Sequence, residues 1–524
     1  MNPLQEPFSR EELADCVEEA RAFCSSPALD AVPWMNLKHP VHPVQDELIR
    51  PESPGDPAVA GNPAGAAARA AWGCLYALWF ALQLIRIRAA FRHVFKELKG
   101  RSYDVIAKSW HFSGRGVQEV DFYYGDLQAR LLRRGVRMLL LTGDAQGALW
   151  DWTPELKRTA LSANRFPEWA LVPWTAPWEV VRMQWQARRR LRQLAAQSDR
   201  PLLRRVALRA AVDVVSHRLI SVSLYGWVGR EAMRFWKPRA WITLYEGHGW
   251  EQILWRGIRQ ADPACRVVGY QHTILPPYLL ALLRPSPHPR ARLRPDLVLC
   301  LGPRSKRLLE SSHTGSTLLV FGTFRRQGGQ TLLRDPDPAR KTVIVLPEGL
   351  LEEARILFEA ALQAASEMPA YRFILRCHPQ LSFEQVRPLL SRDPARLPNV
   401  EISGGRPIEE DFARSSAILY RGSSSVLYAV PAGLKPVYLH REGAREIDPL
   451  CELDLWRQRA CSWREIAPLL ERYERSGPER VLEDWRAAVQ YVQEYTVGVE
   501  DASIRSLLDA LECSRAVEMQ EMAG

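Results

Sequence analysis

The chain has 524 residues, more than one hydrophobic core usually holds, so at least two domains are expected. A hydrophobic content of 47% and a charged content of 25% exclude an intrinsically disordered protein. The formal charge of +10 favours anionic partners such as nucleotides, sugar acids, phospholipid or nucleic acid, and by itself selects none of them.

The 9 cysteines are scattered and form neither a CxxC pair nor a zinc-type cluster with histidine. This pattern is typical of a reducing compartment. The acidic N-terminus lacks the apolar core of a secretory signal, so a cytoplasmic location is expected.

Residues 1–100 are predicted to form an N-terminal extension. Residues 1–65 are rich in Pro and Gly and predict an irregular arm. An apolar run within 71–85 is shorter than the ~20 residues of a membrane-spanning helix and precedes a basic stretch. Two interpretations stay open, an amphipathic helix on the anionic face of the inner membrane and a helix buried against the domain, and a true membrane span is the third alternative.

From residue 101 the pattern alternates between strands and helices, which predicts parallel sheets covered by helices. Predicted strands before residue 280 lie at 103–110, 136–144 and 169–174, and within 239–249 and 265–273, where polar residues follow the strand end; long helical stretches are predicted at 176–197 and 202–235. Later strands are predicted at 297–301, 317–321, 342–346, 371–376, 399–402, 416–420 and 435–439.

A stretch rich in Pro and Arg at 282–296 resembles a linker. It divides the alternating pattern into a first domain at 101–285 and a second domain at 286–475, followed by a helical segment at 476–524 that is expected to return to the first domain. The predicted fold is α/β, with two doubly wound Rossmann-like domains facing a central cleft. Ligands bind beyond the carboxyl ends of the strands in such sheets.

One predicted strand of the second domain, at 371–376, is followed by His378 and Pro379. Because Pro379 favours extended geometry at the preceding residue, the imidazole has a defined direction at the strand end. It can donate a hydrogen bond to a phosphate oxygen or stabilise a departing phosphate. A His-Pro turn that only stabilises a loop is the open alternative.

A second strand, at 416–420, is followed by the sequence "RGSSS". Gly422 permits a tight turn and a close ligand approach, and Ser423, Ser424 and Ser425 precede or begin a predicted helix at 424–432. Serines at a helix N-terminus can bind phosphate, and they also cap ordinary helices. The spacing places this group two strands from His378, at the same crevice.

Three glutamates extend this candidate donor site. Glu409 and Glu410 begin a predicted helix at 407–413, where either can accept hydrogen bonds from a ribose or act as a partner of the helix dipole. Glu348 lies in "LPEG" (346–349), at the end of the predicted strand 342–346, and is expected to line a nucleotide pocket or to belong to an ordinary strand-to-helix turn.

Two of these segments resemble known motifs. The segments "RCHP" and "EEDFARSSAILYRGSSSVLYAVPAGLKPVYL" resemble the HP and S motifs of bacterial GT-B transferases that use cytidine-nucleotide donors. These include capsule polysialyltransferases, capsular Kdo transferases and teichoic-acid glycerophosphotransferases. The chain is most similar to bacterial surface-carbohydrate biosynthesis proteins of the capsule and O-antigen type, over roughly residues 100–440.

The resemblance implies specific roles. His378 and Ser423 to Ser425 would hold the donor phosphate, and no obligatory metal or other cofactor is implied. In "YEGHG", Glu246 matches the acidic residue that serves as base in the first domain, but the polysialyltransferase motif has two adjacent acids there. The base is therefore either Glu246 or His248, while a helix cap is the structural alternative for Glu246. His272, at the next strand end, is expected to contact acceptor or donor, or to lie between the domains.

Three functions follow from this resemblance. The first is a glycosyltransferase that moves Kdo or a sialic-like ulosonic acid from a CMP donor to a cell-surface polysaccharide or glycolipid. The second is a CDP-alditol phosphotransferase, and the third is a non-catalytic nucleotide-sugar-binding subunit of a polysaccharide assembly complex. The arginine run at 186–193 lacks any companion nucleic-acid motif, so no nucleic-acid partner is expected.

Overall fold

The computed structural model describes residues 8–38, 43–49, 63–111, 120–144, 153–276, 279–285, 293–324, 333–379, 381–441 and 447–512. Within these ranges the strands form two separate sheets, of seven and six strands.

The first sheet has the order β3-β2-β1-β4-β5-β6-β7, and all neighbouring strands are parallel. Its strands are β1 Val105–His111, β2 Met138–Asp144, β3 Arg165–Pro167, β4 Ala240–Leu244, β5 Arg266–Tyr270, β6 Leu297–Cys300 and β7 Thr317–Val320. The second sheet has the order β10-β9-β8-β11-β12-β13 and is also parallel. Its strands are β8 Thr342–Pro347, β9 Arg372–Leu375, β10 Val400–Ile402, β11 Ala417–Arg421, β12 Lys435–Leu439 and β13 Gln458–Ala460.

Helices connect and flank these strands. Up to the end of the first sheet they are α1 Arg10–Cys24, α2 Pro43–Ile49, α3 Pro63–Ala90, α4 Arg92–Lys99, α5 Leu127–Leu132, α6 Thr153–Thr159, α7 Ala176–Gln197, α8 Pro201–Asp213, α9 Leu219–Ser223, α10 Tyr225–Trp236, α11 Gly249–Ala261, α12 Leu280–Leu283 and α13 Pro303–Glu310. They continue as α14 Leu351–Glu367, α15 Phe383–Val386, α16 Ile408–Arg414, α17 Val426–Ala429, α18 Ile466–Glu474, α19 Pro478–Tyr495 and α20 Asp501–Ala510. Two parallel sheets, each covered by helices, confirm the predicted GT-B-like class of two Rossmann-like domains.

The predicted boundary between the domains is wrong. The Pro- and Arg-rich stretch at 282–296, of which 286–292 lies outside the described residues, does not separate the sheets. Strands β6 and β7 follow it and pair with β5 in the first sheet. The change of sheet therefore falls between 320 and 342. Composition marks a loop here, but it cannot indicate which sheet the next strand joins.

The N-terminal extension is also less peripheral than predicted. Helix α1 begins with a capping box at Ser9 and Glu12 and packs on α7 and α8. Trp34 and Met35 are fully buried in the same core as the first sheet, and the Trp34 indole donates to Asp213 at 2.9 Å. Residues 8–38 are therefore part of the first domain rather than an irregular arm.

Smaller differences concern individual elements. The strand expected at 169–174 lies instead at 165–167, and Glu168–Leu171 forms a 3-10 turn between two prolines. The helical stretch at 202–235 is divided into α8, α9 and α10.

The C-terminal segment crosses back to the first domain as expected. Helix α19 packs its Trp485 and Val492 into the core of the second sheet. The chain then pairs with the first domain, where the Val497 amide donates to the Leu301 carbonyl at 2.9 Å, and α20 buries Leu507 in the first core.

Helices α10 and α11 pack in direct backbone contact. A Cβ atom at Gly257 of α11 would collide with the carbonyl oxygen of Gly226 in α10. Gly229 of α10 likewise faces the Leu254 carbonyl, where an added Cβ would lie at 2.7 Å. Glycine at these positions lets the backbones of the two helices touch along the middle of α11.

We expect Gly257→Ala to lower the thermal unfolding midpoint, because overpacking at a backbone contact costs about 1–3 kcal/mol. The matched control is Gly73→Ala in α3, where an added Cβ meets no atom within 4 Å and a higher helix propensity stabilises by about 0.5–1 kcal/mol. Equal midpoints for the two variants would contradict this account of the α10–α11 contact.

Candidate functional site

The second-domain candidates follow three adjacent parallel strands. His378 lies three residues after β9, Glu348 directly after β8, and Ser423 two residues after β11. Strand β8 pairs with β9 on one side and β11 on the other, with Pro347 opposite Arg421. The carboxyl ends of these strands form one edge of the sheet, so the structure places the histidine and the serines on the same edge with Glu348 between them.

Gly422 and Glu348 are in direct contact at this edge. Gly422 adopts a left-handed conformation with φ +71°, and a Cβ atom there would collide with the Glu348 carboxylate. Burial and the charge of Glu353 raise the pKa of Glu348 to about 7, while Arg421 and Lys38 oppose the shift. Glu348 is therefore protonated in much of the population at neutral pH, beside the serine loop.

The helix after the serines is shorter than predicted. Helix α17 has four residues, and Ser425 at its N-cap makes no side-chain cap bond. Ser423 is buried, whereas Ser424 and Ser425 are half-buried. A single turn has little macrodipole, so an anion would be held here by hydroxyls and turn amides.

The His378 loop is fixed by its neighbours. His378 is half-buried, and its carbonyl accepts a hydrogen bond from Leu381 at 2.9 Å. Arg376, just before it, donates to buried Asp411 at 2.8 Å and to the Arg406 carbonyl at 3.0 Å. These bonds tie the end of β9 to the first turns of α16.

Glu409 and Glu410 are exposed in the first turn of α16. Arg376 pairs with their neighbour Asp411, which is fully buried. A ribose contact by Glu409 or Glu410 stays a prediction.

In the first domain, Glu246, His248 and His272 form one cluster together with Lys38. His272 Nε2 lies 2.8 Å from Glu246 Oε1, and His248 Nε2 lies 3.1 Å from Glu246 Oε2. Lys38 Nζ contacts both Glu246 Oε2 and His248 Nε2. The cluster lies beyond the carboxyl ends of β4 and β5, where the sequence placed its three predicted members.

Glu246 does not cap α11, because the N-cap residue is His248 and this helix start has no side-chain cap hydrogen bond. Glu251, in the first turn of α11, accepts hydrogen bonds from the backbone amides of Glu246 and Gly247, each at 3.0 Å. Burial raises the pKa of Glu251 to about 8, with the Glu246 charge adding to the shift and its backbone hydrogen bonds opposing it. The Glu246 side chain is left to interact with Lys38 and the two histidines.

Lys38 is the site residue that the sequence did not indicate. It follows Asn36, which hydrogen-bonds to buried Arg21, and Arg256 of α11 bonds to Asp30 at 3.2 Å. A Cβ atom at Gly249 would overlap the carbonyl oxygen of Asp30, so glycine there lets the extension lie directly on α11. In the sequence, the apolar residues near Lys38 could have indicated that this segment is ordered and packed in the core.

Charge and burial set the protonation states of the cluster. Burial opposes ionisation of Glu246, but the charges of Lys38 and His272 and the hydrogen bonds from both histidines hold its pKa well below the ordinary value. Burial and the Lys38 charge lower the pKa of His248, although Glu246 opposes this. At neutral pH the cluster therefore contains an ionised Glu246 and a neutral His248, whose side chain is 40% exposed.

An aromatic group lies beside His248. The His248 ring stacks on Trp250, with the two ring centroids 6.5 Å apart, and Trp250 contacts Trp110 and Tyr225. Lys108 Nζ lies 3.2 Å from the Trp110 ring centroid. Trp250 and Tyr225 are buried, so these rings form a packed support behind the His248 imidazole.

The two residue groups lie close enough to interact across the cleft. The Lys38 charge lowers the pKa of Glu246 in the first domain and also acts on Glu348 in the second. Ile274, two residues after His272, packs on the core of the second domain. The Leu275 amide donates to the Tyr495 hydroxyl of α19 at 2.8 Å.

In the ranges that the structure describes, no group of three or more His, Cys, Asp or Glu side chains has a metal-binding arrangement.

No protein-family model and no curated protein matches this sequence. Solved structures with a similar fold include the glycotransferase of kitacinnamycin (12% identity, TM-score 0.46, covering 78% of this chain and 99% of that one). Others are the calicheamicin glycosyltransferase (15%, 0.43, 78% and 98%) and a putative UDP-N-acetylglucosamine 2-epimerase from Listeria monocytogenes (11%, 0.45, 79% and 96%). Because the identities and TM-scores are low, we base no functional assignment on these matches.

We expect Lys38→Met to destabilise the protein at pH 7 by about 2 kcal/mol, because the ionised Glu246 loses its charge partner. The folded-state pKa of Glu246 is below its ordinary 4.5, so the stability it contributes is present above pH 4.5 and is lost as the pH falls further. The difference in unfolding midpoint between wild type and variant should therefore shrink below that pH. The control is Lys96→Met at an exposed position of α4, and a pH-independent difference for Lys38→Met would mean that Lys38 acts by packing alone.

Proposed function

We propose that this protein is a glycosyltransferase. It moves an ulosonic sugar, Kdo or a sialic-like acid, from a CMP donor to a hydroxyl of a cell-surface polysaccharide or glycolipid. The observation that carries the proposal is the position of two complementary groups at one cleft. The first domain presents a carboxylate and histidine cluster, and the second presents an imidazole, a carboxyl group and serine hydroxyls.

The second-domain group has the chemistry of a phosphate site. Serine hydroxyls and an imidazole can donate hydrogen bonds to phosphate oxygens. Glu348 in its protonated form adds a further O–H donor, and its pKa of about 7 keeps that form available. Choice of cytidine over other nucleotides rests on the resemblance of the HP and S motifs.

The first-domain group supplies the base. An acceptor hydroxyl is a poor nucleophile and needs a proton acceptor within hydrogen-bond reach. His248 fits this role better than Glu246, because it is neutral at pH 7 and is the more exposed of the two. Glu246, ionised and bonded to His248, orients the imidazole and stabilises it once it is protonated.

The transfer then takes place in one step, in which one bond forms as another breaks. The acceptor oxygen forms a bond to the anomeric carbon as the bond from that carbon to the donor phosphate oxygen breaks. The hydroxyl proton passes to His248, and CMP departs with its negative charge held by His378 and the serines. Developing charge on the leaving phosphate is what those donors stabilise.

Calorimetric titration with CMP, CDP and UDP tests the donor class. We expect CMP to bind most tightly, and His378→Ala to weaken CMP binding by about tenfold and turnover by roughly 10²–10⁴. His93→Ala, at an exposed position of α4, is the control. Preferred binding of CDP with transfer from CDP-alditols would favour the phosphotransferase. CMP binding without transfer to any acceptor would favour the binding subunit.

The pH dependence of CMP binding tests Glu348. As the pH rises through about 7, Glu348 loses the proton that lets it donate to phosphate and gains a charge that repels it. CMP affinity should fall between pH 7 and pH 9, a range in which the phosphate itself stays doubly charged because its second pKa is about 6. In Glu348→Gln the affinity should stay constant, whereas Glu352→Gln, exposed on α14, should behave as wild type. If CMP affinity in Glu348→Gln still falls between pH 7 and pH 9 as it does in wild type, Glu348 is not part of the phosphate site.

A further inference from the structure

Helix α3 has an unusual composition for a helix on a domain surface. Its 28 residues include no Asp or Glu, and its charged residues are three arginines. It is the one helix in the described part of the chain that is long and apolar enough to cross a membrane, over Ala71–Ala90. Only 39% of that segment is buried.

One side of α3 packs on the first domain. Ala77, Phe80, Leu84 and Ile87 are buried, and the Phe80 ring meets Trp169 edge to face at 5.6 Å. Because residues three and four apart share a face, these side chains form a continuous stripe against α7 and the turn after β3. The helix therefore lies along the domain surface, an orientation that a spanning helix would not have.

The opposite side of α3 is apolar and exposed. Trp72 is 62% exposed and Leu82 is 52% exposed, and Leu75, Leu78 and Trp79 have comparable values. Two further exposed tryptophans belong to the start of α7 and the loop before it. We call this surface the docking face, and it comprises Trp72, Leu75, Leu78, Trp79, Leu82, Ile85, Trp174 and Trp178.

Positive charge borders one end of the docking face. Arg88 and Arg92 line a pocket of about 500 Å³ together with Ile85, Phe95 and Trp174. Both arginines are exposed. From Trp72 to Ile85 the helix extends about 20 Å, so the face combines a long apolar stripe with cations at its end.

We propose that the docking face lies on the surface of an anionic bilayer, with its apolar side chains at the acyl boundary and Arg88 and Arg92 among the lipid phosphates. Tryptophan is the side chain that favours this interface, because its ring is apolar and its N–H is polar. An exposed apolar patch of this size marks a membrane or protein interface. The arginines and the absence of acidic residues on α3 favour an anionic lipid surface as the occupant.

The docking face is connected to the cleft by packed rings. Phe80 contacts Trp169, Trp169 contacts Tyr225 at 5.1 Å, and Tyr225 contacts Trp250 at 5.3 Å. Trp250 is the ring on which His248 stacks. These buried rings form a continuous packed path through the first domain between the docking face and the Glu246 cluster.

Flotation of the full-length protein with vesicles tests this proposal without any assay of activity. We expect it to bind vesicles of phosphatidylcholine that contain phosphatidylglycerol, and to bind pure phosphatidylcholine vesicles more weakly. The double variant Leu75→Gln with Leu82→Gln should lower the partition coefficient by about tenfold or more, because two exposed leucines no longer enter the acyl boundary. Arg88→Gln with Arg92→Gln should remove the preference for phosphatidylglycerol and its sensitivity to salt.

The matched control is Leu132→Gln, an equally exposed leucine on α5 at another surface. All variants should keep the thermal unfolding midpoint of wild type, since the substituted side chains are exposed. No binding to anionic vesicles, or equal binding by wild type and the double leucine variant, overturns the proposal. A wild-type dimer that the leucine substitutions convert to monomer, with vesicle binding unchanged, would assign the face to a second copy instead.

Discussion

The organisation of the site depends on the ammonium group of Lys38. This group contacts Glu246 and His248 and acts on Glu348 in the other domain. A cation between two acidic groups keeps one of them ionised while burial leaves the other largely neutral. Lys38 thus helps to keep Glu246 ionised, whereas burial and the Glu353 charge keep Glu348 largely neutral against the opposing charges of Arg421 and Lys38. The two sides of the cleft therefore differ in protonation state, as an enzyme needs for proton transfer on one side and anion binding on the other.

That position is secured by the N-terminal segment as a whole. Arg21 and Arg256 both pair with Asp30, and glycine at 249 allows the segment's backbone to touch α11. The same helix begins directly after His248. The segment 8–38 therefore packs against the cluster and also supplies Lys38 to it. For this reason the segment is part of the first-domain core.

Much of the fold is predictable because parallel strands buried on both faces appear as short apolar runs between helical stretches. The same regularity is enough to place His378, Glu348 and Ser423 at strand ends. Three features escape prediction for physical reasons. The sheet that β6 joins depends on pairing rather than composition, the length of α17 depends on tertiary packing, and Lys38 meets Glu246 across 208 residues of chain. Contacts so distant in sequence leave no periodic pattern.

The return of the chain to the first domain has a mechanical consequence. The outgoing segment at Thr323 and the returning segment at Gly498 pair side by side, and the Thr323 amide donates to the Val497 carbonyl at 2.8 Å. The two halves are thus joined by a double covalent link whose strands are bonded to each other. A single backbone cut in either segment would therefore leave both halves attached, because the other segment still joins them.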